Sequence, residues 1–141
     1  MGKLLTLTAI GVMQLLFLSQ KTAGQSSEAK TLYFKTNSFT IDNKYLPVLD
    51  DFGRKCVTDT FSFLKIFAYA DKKGTKKYNE RLSEKRAIAV YNYLTRNFNI
   101  DTTKIYVTWL GEETNGAYDL HFPSAKVQQR CVDILVFFKK P

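Results

Sequence analysis

The chain has 141 residues, 45% of them hydrophobic and 24% charged, with a formal net charge of +8. That balance is globular rather than disordered, and the length holds one domain. After the first 20 residues no apolar run reaches the roughly 20 residues of a membrane-crossing helix, and no array of alternating strands is long enough for an outer-membrane barrel. Two cysteines and one histidine are too few for a zinc site. There is no glycine-rich phosphate loop, so neither metal nor cofactor is expected.

The first 24 residues read as an export signal. Met1-Gly2-Lys3 is a short basic start, Leu4 to Ser19 is apolar apart from Gln14, and Thr22-Ala23-Gly24 offers small residues for cleavage before Gln25. As a helix the apolar stretch reaches only about 24 Å, short of the roughly 30 Å of a bilayer core. No cysteine follows it, so the usual site of bacterial lipoprotein acylation is absent. Cleavage removes Lys3 and Lys21 and no acid, taking +8 to about +6. An exported chain with this charge meets anionic walls and membrane surfaces, not nucleic acid.

Residues 25–30 (QSSEAK) are polar and predict a flexible tail before a domain over 31–141. Leu32, Tyr33, Phe34 and Lys35 predict a first strand from Thr31, ended by Thr36-Asn37-Ser38. Asp42 or Asn43 can cap a helix with Leu46, Leu49, Phe52 and Cys56 on one stripe and Pro47 in its first turn. A second strand, Phe63 to Tyr69, alternates Leu64, Ile66 and Ala68 against Lys65, Phe67 and Tyr69. After the Asp71-Lys72-Lys73-Gly74 turn comes the longest helix, Tyr78 to Asn97, with Leu82, Ala87, Val90 and Leu94 on its apolar side. A third strand (Lys104 to Leu110), a loop with Gly111 and Asn115-Gly116, a helical turn near Ser124 to Gln128 and a last strand (Val132 to Phe138) complete the chain. The order βαβαβ(α)β predicts an α/β fold of α+β sandwich type, a mixed four-stranded sheet with two main helices on one face. Helical crossovers favour parallel pairing of the early strands. Cys56 shares the buried helix face with Leu49 and Phe52, whereas Cys131 alternates with Val132 and Ile134. The two are expected on different sides of the sheet and unbridged.

The informative stretch runs from Ala70 to Ala87. Asp71 closes a strand, and Asn79, Ser83 and Arg86 share one face of the following helix. An anion, a cation and an amide therefore converge near a helix N-terminus, which itself favours carboxylates. Such a site suits a zwitterion, with Asp71 for an ammonium and Arg86 as a fork for a carboxylate. On charge alone, Asp71 and Arg86 could equally pair with each other at the surface.

Tyr78-Asn79-x-x-Leu82-Ser83-x-x-Arg86-Ala87 behind Asp71 resembles the hallmark of OmpA-like domains, "TD…G…YN…LS..RA". Leu32 to Phe34 is similar to the family's first strand, Trp109-Leu110-Gly111-Glu112-Glu113 to its "G-x-GE" segment, and Gln129-Arg130-Cys131-Val132-Asp133-Ile134 to its closing "NRRVEI". The resemblance covers roughly Leu32 to Phe138. It implies a non-catalytic domain of the periplasm, cell wall or outer membrane. Its ligand is then peptidoglycan, with Asp71 and Arg86 gripping the amino and carboxylate groups of stem-peptide diaminopimelate and Asn79 and nearby backbone N–H groups assisting. The chain departs from the family where Ala68-Tyr69-Ala70 stands for Gly-[His/Tyr]-Thr, where Gln129 replaces Asn and where Cys131 replaces Arg. An alternative use of the same fold is as a scaffold for protein partners in an envelope complex, motivated by those departures and by the aromatic strand edges Tyr33, Tyr69 and Tyr106.

Other residues carry less chemistry. His121 has no cysteine or acid placed to build a triad, and adjacent Glu112 and Glu113 do not face each other across a substrate. Lys72, Lys73, Lys76 and Lys77 form a basic cluster beside the site: a solvated turn, or an attraction for acidic glycopeptide.

Overall fold

A largely apolar last strand, buried on both faces, organises the sheet, and side-chain caps set the starts of the helical segments. The computed structural model describes residues 25–112 and 130–140. Strand β1 is Ser27–Tyr33, helix α1 Leu46–Lys55, strand β2 Phe61–Ala68, helix α2 Lys76–Asn97, strand β3 Ile105–Trp109 and strand β4 Cys131–Phe138. The expected turn at Ser124 to Gln128 lies outside the described residues, as do Glu113, Asn115, Gly116, His121 and Gln129.

The segment 25–30, expected to be a flexible tail, is mostly strand: β1 starts at Ser27 and leaves only Gln25 and Ser26 ahead of it. Ser27 to Lys30 are exposed, so they show no apolar alternation of their own. They are held instead by antiparallel register with Phe137, Val136, Leu135 and Ile134 of β4. Strand β2 likewise begins at Phe61, two residues before the expected Phe63.

Asp42 accepts a hydrogen bond from the Lys44 backbone N–H at 3.0 Å and caps a short 3-10 turn, Asn43–Tyr45, that runs into α1 with Pro47 in its first turn. Thr75 caps α2, its Oγ1 accepting from the Tyr78 N–H at 3.2 Å, which starts that helix two residues ahead of expectation.

The sheet order is β1-β4-β2-β3. Strands β2 and β3 are parallel neighbours joined through α2, in register from Leu64 with Ile105 to Ala68 with Trp109. Strands β1 and β2, joined through α1, both run antiparallel to β4, which lies between them. This is the expected mixed sheet, with β4 inserted between the two strands of the first crossover. Both helices cover one face, where Leu49 and Phe52 of α1 and Val90 and Leu94 of α2 pack on Leu64 and Ile134. Each such fully buried side chain stabilises the fold by about 1.5–3 kcal/mol.

The other face of the sheet carries a second buried cluster of Phe67, Tyr69, Cys131 and Leu135. Cys56 belongs to the helix-side core and Cys131 to this one, and both are free thiols. Burial pushes the Cys56 thiol up to about 12. Burial, and then the nearby Asp133, also raise Cys131. Both thiols should therefore resist alkylation in the native protein at mildly alkaline pH, where the reactive thiolate is scarce. Denaturation without reductant should release two reactive thiols. Finding none would mean that the cysteines are bridged across the sheet.

Candidate functional site

The carboxyl ends of β2, β3 and α2's first turns meet in one corner of the molecule. Beyond β2, the Tyr69 N–H donates to the Cys131 carbonyl at 2.9 Å and the Ala70 N–H to the Gly111 carbonyl at 2.6 Å. The chain is thus held to both neighbouring strands until it delivers Asp71. The Asp71 side chain is 24% exposed, and its Oδ2 accepts from Nη1 of Arg130 at 3.1 Å. Its Oδ1 accepts from the Lys73 backbone N–H at 3.3 Å, shaping the turn that Gly74 completes at a φ of +95°. The basic cluster of Lys72, Lys73, Lys76 and Lys77 stands exposed around this turn.

Arg86 is placed differently from a surface fork. It is fully buried. Its Nε donates to the Ser38 carbonyl at 2.8 Å, Nη1 to the Tyr69 carbonyl at 2.9 Å and Nη2 to the Lys35 carbonyl at 3.2 Å, and the guanidinium lies 5.3 Å from the Phe34 ring centroid. Three of its five N–H groups thus hold the loop after β1 against the end of β2; two are left without a partner among the described residues. Burial lowers its pKa, Asp71 raises it and Arg130 lowers it again. Asp71, Arg86 and Arg130 therefore form one electrostatic cluster, in which only Asp71 and Arg130 are in direct contact among the described residues.

Asn79 and Ser83 lie beneath the surface on the same face of α2. The Ser83 hydroxyl donates to the Glu80 carbonyl at 2.8 Å and accepts from the Gly111 N–H at 2.9 Å. Asn79 Nδ2 donates to Glu112 Oε2 at 2.8 Å, while its buried Oδ1 has no partner among the described residues. Together they hold the turn after β3 hard against α2. Gly111 sits there at a φ of +56°, and a Cβ on it would come within 3.1 Å of the Glu80 backbone nitrogen. Ser83→Ala leaves the buried Gly111 N–H unpaired, which should reduce unfolding free energy by about 1–3 kcal/mol. Urea denaturation at an unchanged slope would show it; an unchanged midpoint would mean that the serine holds nothing.

Of the four residues singled out from sequence, Asp71 is the one open to solvent, Arg86 stands behind it, and Asn79 and Ser83 set the neighbouring turn. Arg130 was missed as a site residue. It lies 59 positions from Asp71, and only the pairing of β4 with β2 brings it there. Thr75 was also missed, although a threonine between Gly74 and a helical run is an ordinary cap signal. Among the described residues no group of His, Cys, Asp and Glu could hold a metal ion, and no helix is long and apolar enough to cross a membrane.

The mixed four-stranded sheet with two helices on one face is the fold that the motif implied. The model of the OmpA family matches residues 33–130, and the chain belongs to that family. Outer membrane protein 41 of Porphyromonas gingivalis is 35% identical over 85 residues, 60% of this chain and 22% of that protein. The peptidoglycan-associated lipoprotein of Buchnera aphidicola is 31% identical over 74 residues, 52% of this chain and 43% of that protein. The matched stretch thus spans less than half the length of either relative. Among solved structures, the peptidoglycan-associated lipoprotein of Burkholderia pseudomallei superposes with a TM-score of 0.59 at 21% identity, covering 78% of this chain and 90% of that one. The cell wall anchor of the type VI secretion system of Pseudomonas aeruginosa does so with a TM-score of 0.55 at 17% identity, covering 89% and 96%. These two share the fold.

Proposed function

We propose that this is a non-catalytic peptidoglycan-binding domain of the bacterial cell envelope, exported by residues 1–24 and holding stem-peptide diaminopimelate at Asp71 and Arg86. The observation that carries the reading is the half-buried Asp71 carboxylate paired with Arg130 at 3.1 Å and electrostatically coupled to the buried Arg86. A zwitterion exchanges one ion pair for two. Its ammonium takes the place of Arg130 on Asp71. Its carboxylate meets the released Arg130 guanidinium and faces the charge of the buried Arg86, which keeps its hydrogen bonds to three carbonyls. Asn79 and Ser83 act from below, fixing the turn that forms the site's β3 side. The exposed lysines around Gly74 add a diffuse attraction for anionic wall polymer, which salt screens.

A second reading is favoured by one feature of the site. Arg86 is inaccessible in the free protein and already serves three carbonyls. A domain whose clamp has become purely structural would act as a protein scaffold in an envelope complex. Co-sedimentation with isolated, diaminopimelate-containing sacculi separates the two readings. The parent chain should sediment with sacculi and be competed off by free diaminopimelate-containing stem peptide. A folded parent that stays in the supernatant would make the scaffold the function.

A further inference from the structure

Beside the clamp, on the β3 side, lies an open pocket of about 310 Å³ lined by Lys76, Glu80, Trp109, Leu110, Gly111 and Glu112. Trp109 is in register with Ala68, so it stands on the helix side of the sheet, next to the first turns of α2. It is 40% exposed, a large apolar surface to leave in water beside a cavity. The polar groups around it are of both signs, one ammonium and two carboxylates. Glu112 is held in place by Asn79, itself 1% exposed and with its Oδ1 unpartnered among the described residues. An aromatic plane with donors and acceptors of both signs around it fits a ligand with one apolar face and a polar, hydroxyl-bearing rim. A pyranose ring has that shape: its axial C–H groups pack on the indole, and its hydroxyl and acetamido groups meet the rim.

We propose that this pocket is a sugar subsite for the N-acetylated amino sugar that carries the clamped stem peptide. The proposal rests on the peptidoglycan reading above and extends it from the peptide to the glycan. Geometry allows both to be held at once. Strands β2 and β3 lie about 5 Å apart, and Asp71 stands three residues beyond Ala68, the partner of Trp109, so the two sites are separated by about 10 Å. A peptide reaching at most ~3.5 Å per residue crosses that distance in about three residues.

Trp109 is the only tryptophan of the chain, so its fluorescence reports this pocket alone. The test is titration of the protein with three ligands: a diaminopimelate-containing stem tripeptide, the disaccharide that would bear it, and the complete disaccharide-tripeptide. The complete ligand should bind about tenfold more tightly than the tripeptide, and only the two sugar-bearing ligands should shift the tryptophan emission. Trp109→Ala should bring the complete ligand down to the tripeptide's affinity and leave the tripeptide itself unchanged, which also shows that the variant is folded. Trp109→Phe should recover part of the difference. Equal affinity of the parent for the tripeptide and the complete ligand, with emission unmoved, would overturn the sugar subsite and leave the clamp standing. Disaccharide binding without tripeptide binding would do the reverse. Binding of none of the three would overturn both.

Discussion

An Arg86→Ala chain is expected to unfold at distinctly lower urea than the parent and to lose wall binding as well. The stability loss follows from what the guanidinium holds. The carbonyls of Lys35, Ser38 and Tyr69 all accept from it, and removing it takes a donor from each, although the Lys35 carbonyl keeps the Ser38 N–H at 3.1 Å. A buried acceptor without a donor costs about 1–3 kcal/mol. Lys35 is exposed and Ser38 half-buried, so water can replace the lost donor at two of them. Tyr69 is buried and cannot be served that way. A net loss on the order of 3 kcal/mol is the result, with the packing of the side chain on Phe34 included. Arg86→Lys should recover the charge but little of the stability, because a single ammonium cannot reach three carbonyls spread around a planar fork. Chemical denaturation followed by circular dichroism measures both variants. An Arg86→Ala midpoint equal to the parent's would show that the three hydrogen bonds contribute nothing net. Sedimentation with sacculi should then be scored only on the folded fraction, since the two losses have different causes.

The double duty of Arg86 shows where sequence reasoning ran out. Its position on one helix face with Asn79 and Ser83 was legible from spacing, and so was Asp71 at the end of a strand. The depth of that face was not. Leu82 fixed the rotation of α2, but Asn79, Ser83 and Arg86 proved as buried as their apolar neighbours because the turn after β3 and the loop after β1 close over them. Both closures join segments distant in sequence: Ser83 bonds a residue 28 positions away and Arg86 one 48 positions away. Neither leaves a local pattern. The polar start of β1 was illegible for a related reason. An edge strand that exposes Ser27 to Lys30 has no alternation to read, and its strand character comes from the apolar run of β4 beside it. That run, by contrast, announced itself. So did the parity that put Cys56 and Cys131 on opposite faces, since strand and helix periods alone decide it.

The clearest separation of binding from folding is expected of Asp71→Asn. The amide keeps the shape of the carboxylate and an oxygen that can accept from the Lys73 N–H, so the turn before α2 should hold. What is lost in the free protein is a half-exposed ion pair with Arg130 at 3.1 Å, worth about 0–1 kcal/mol. The denaturation midpoint should therefore stay close to the parent's. In the complex the same change leaves the ligand's ammonium desolvated and facing a neutral amide. That should weaken binding by about 1–3 kcal/mol, roughly five- to 150-fold. Arg130→Gln should weaken it less, because it removes a competitor for Asp71 from the free site as well as a partner for the ligand's carboxylate from the complex. The double variant should lose less than the sum of the two, since both residues act on one charge cluster. Replacing the exposed Lys72 or Lys73 should have only a small effect that fades with added salt. Titration of each folded variant with a diaminopimelate-containing stem peptide measures all of these. If Asp71→Asn binds as the parent does, the ammonium is held elsewhere, and the work of Asp71 ends with its hydrogen bonds to Arg130 and Lys73.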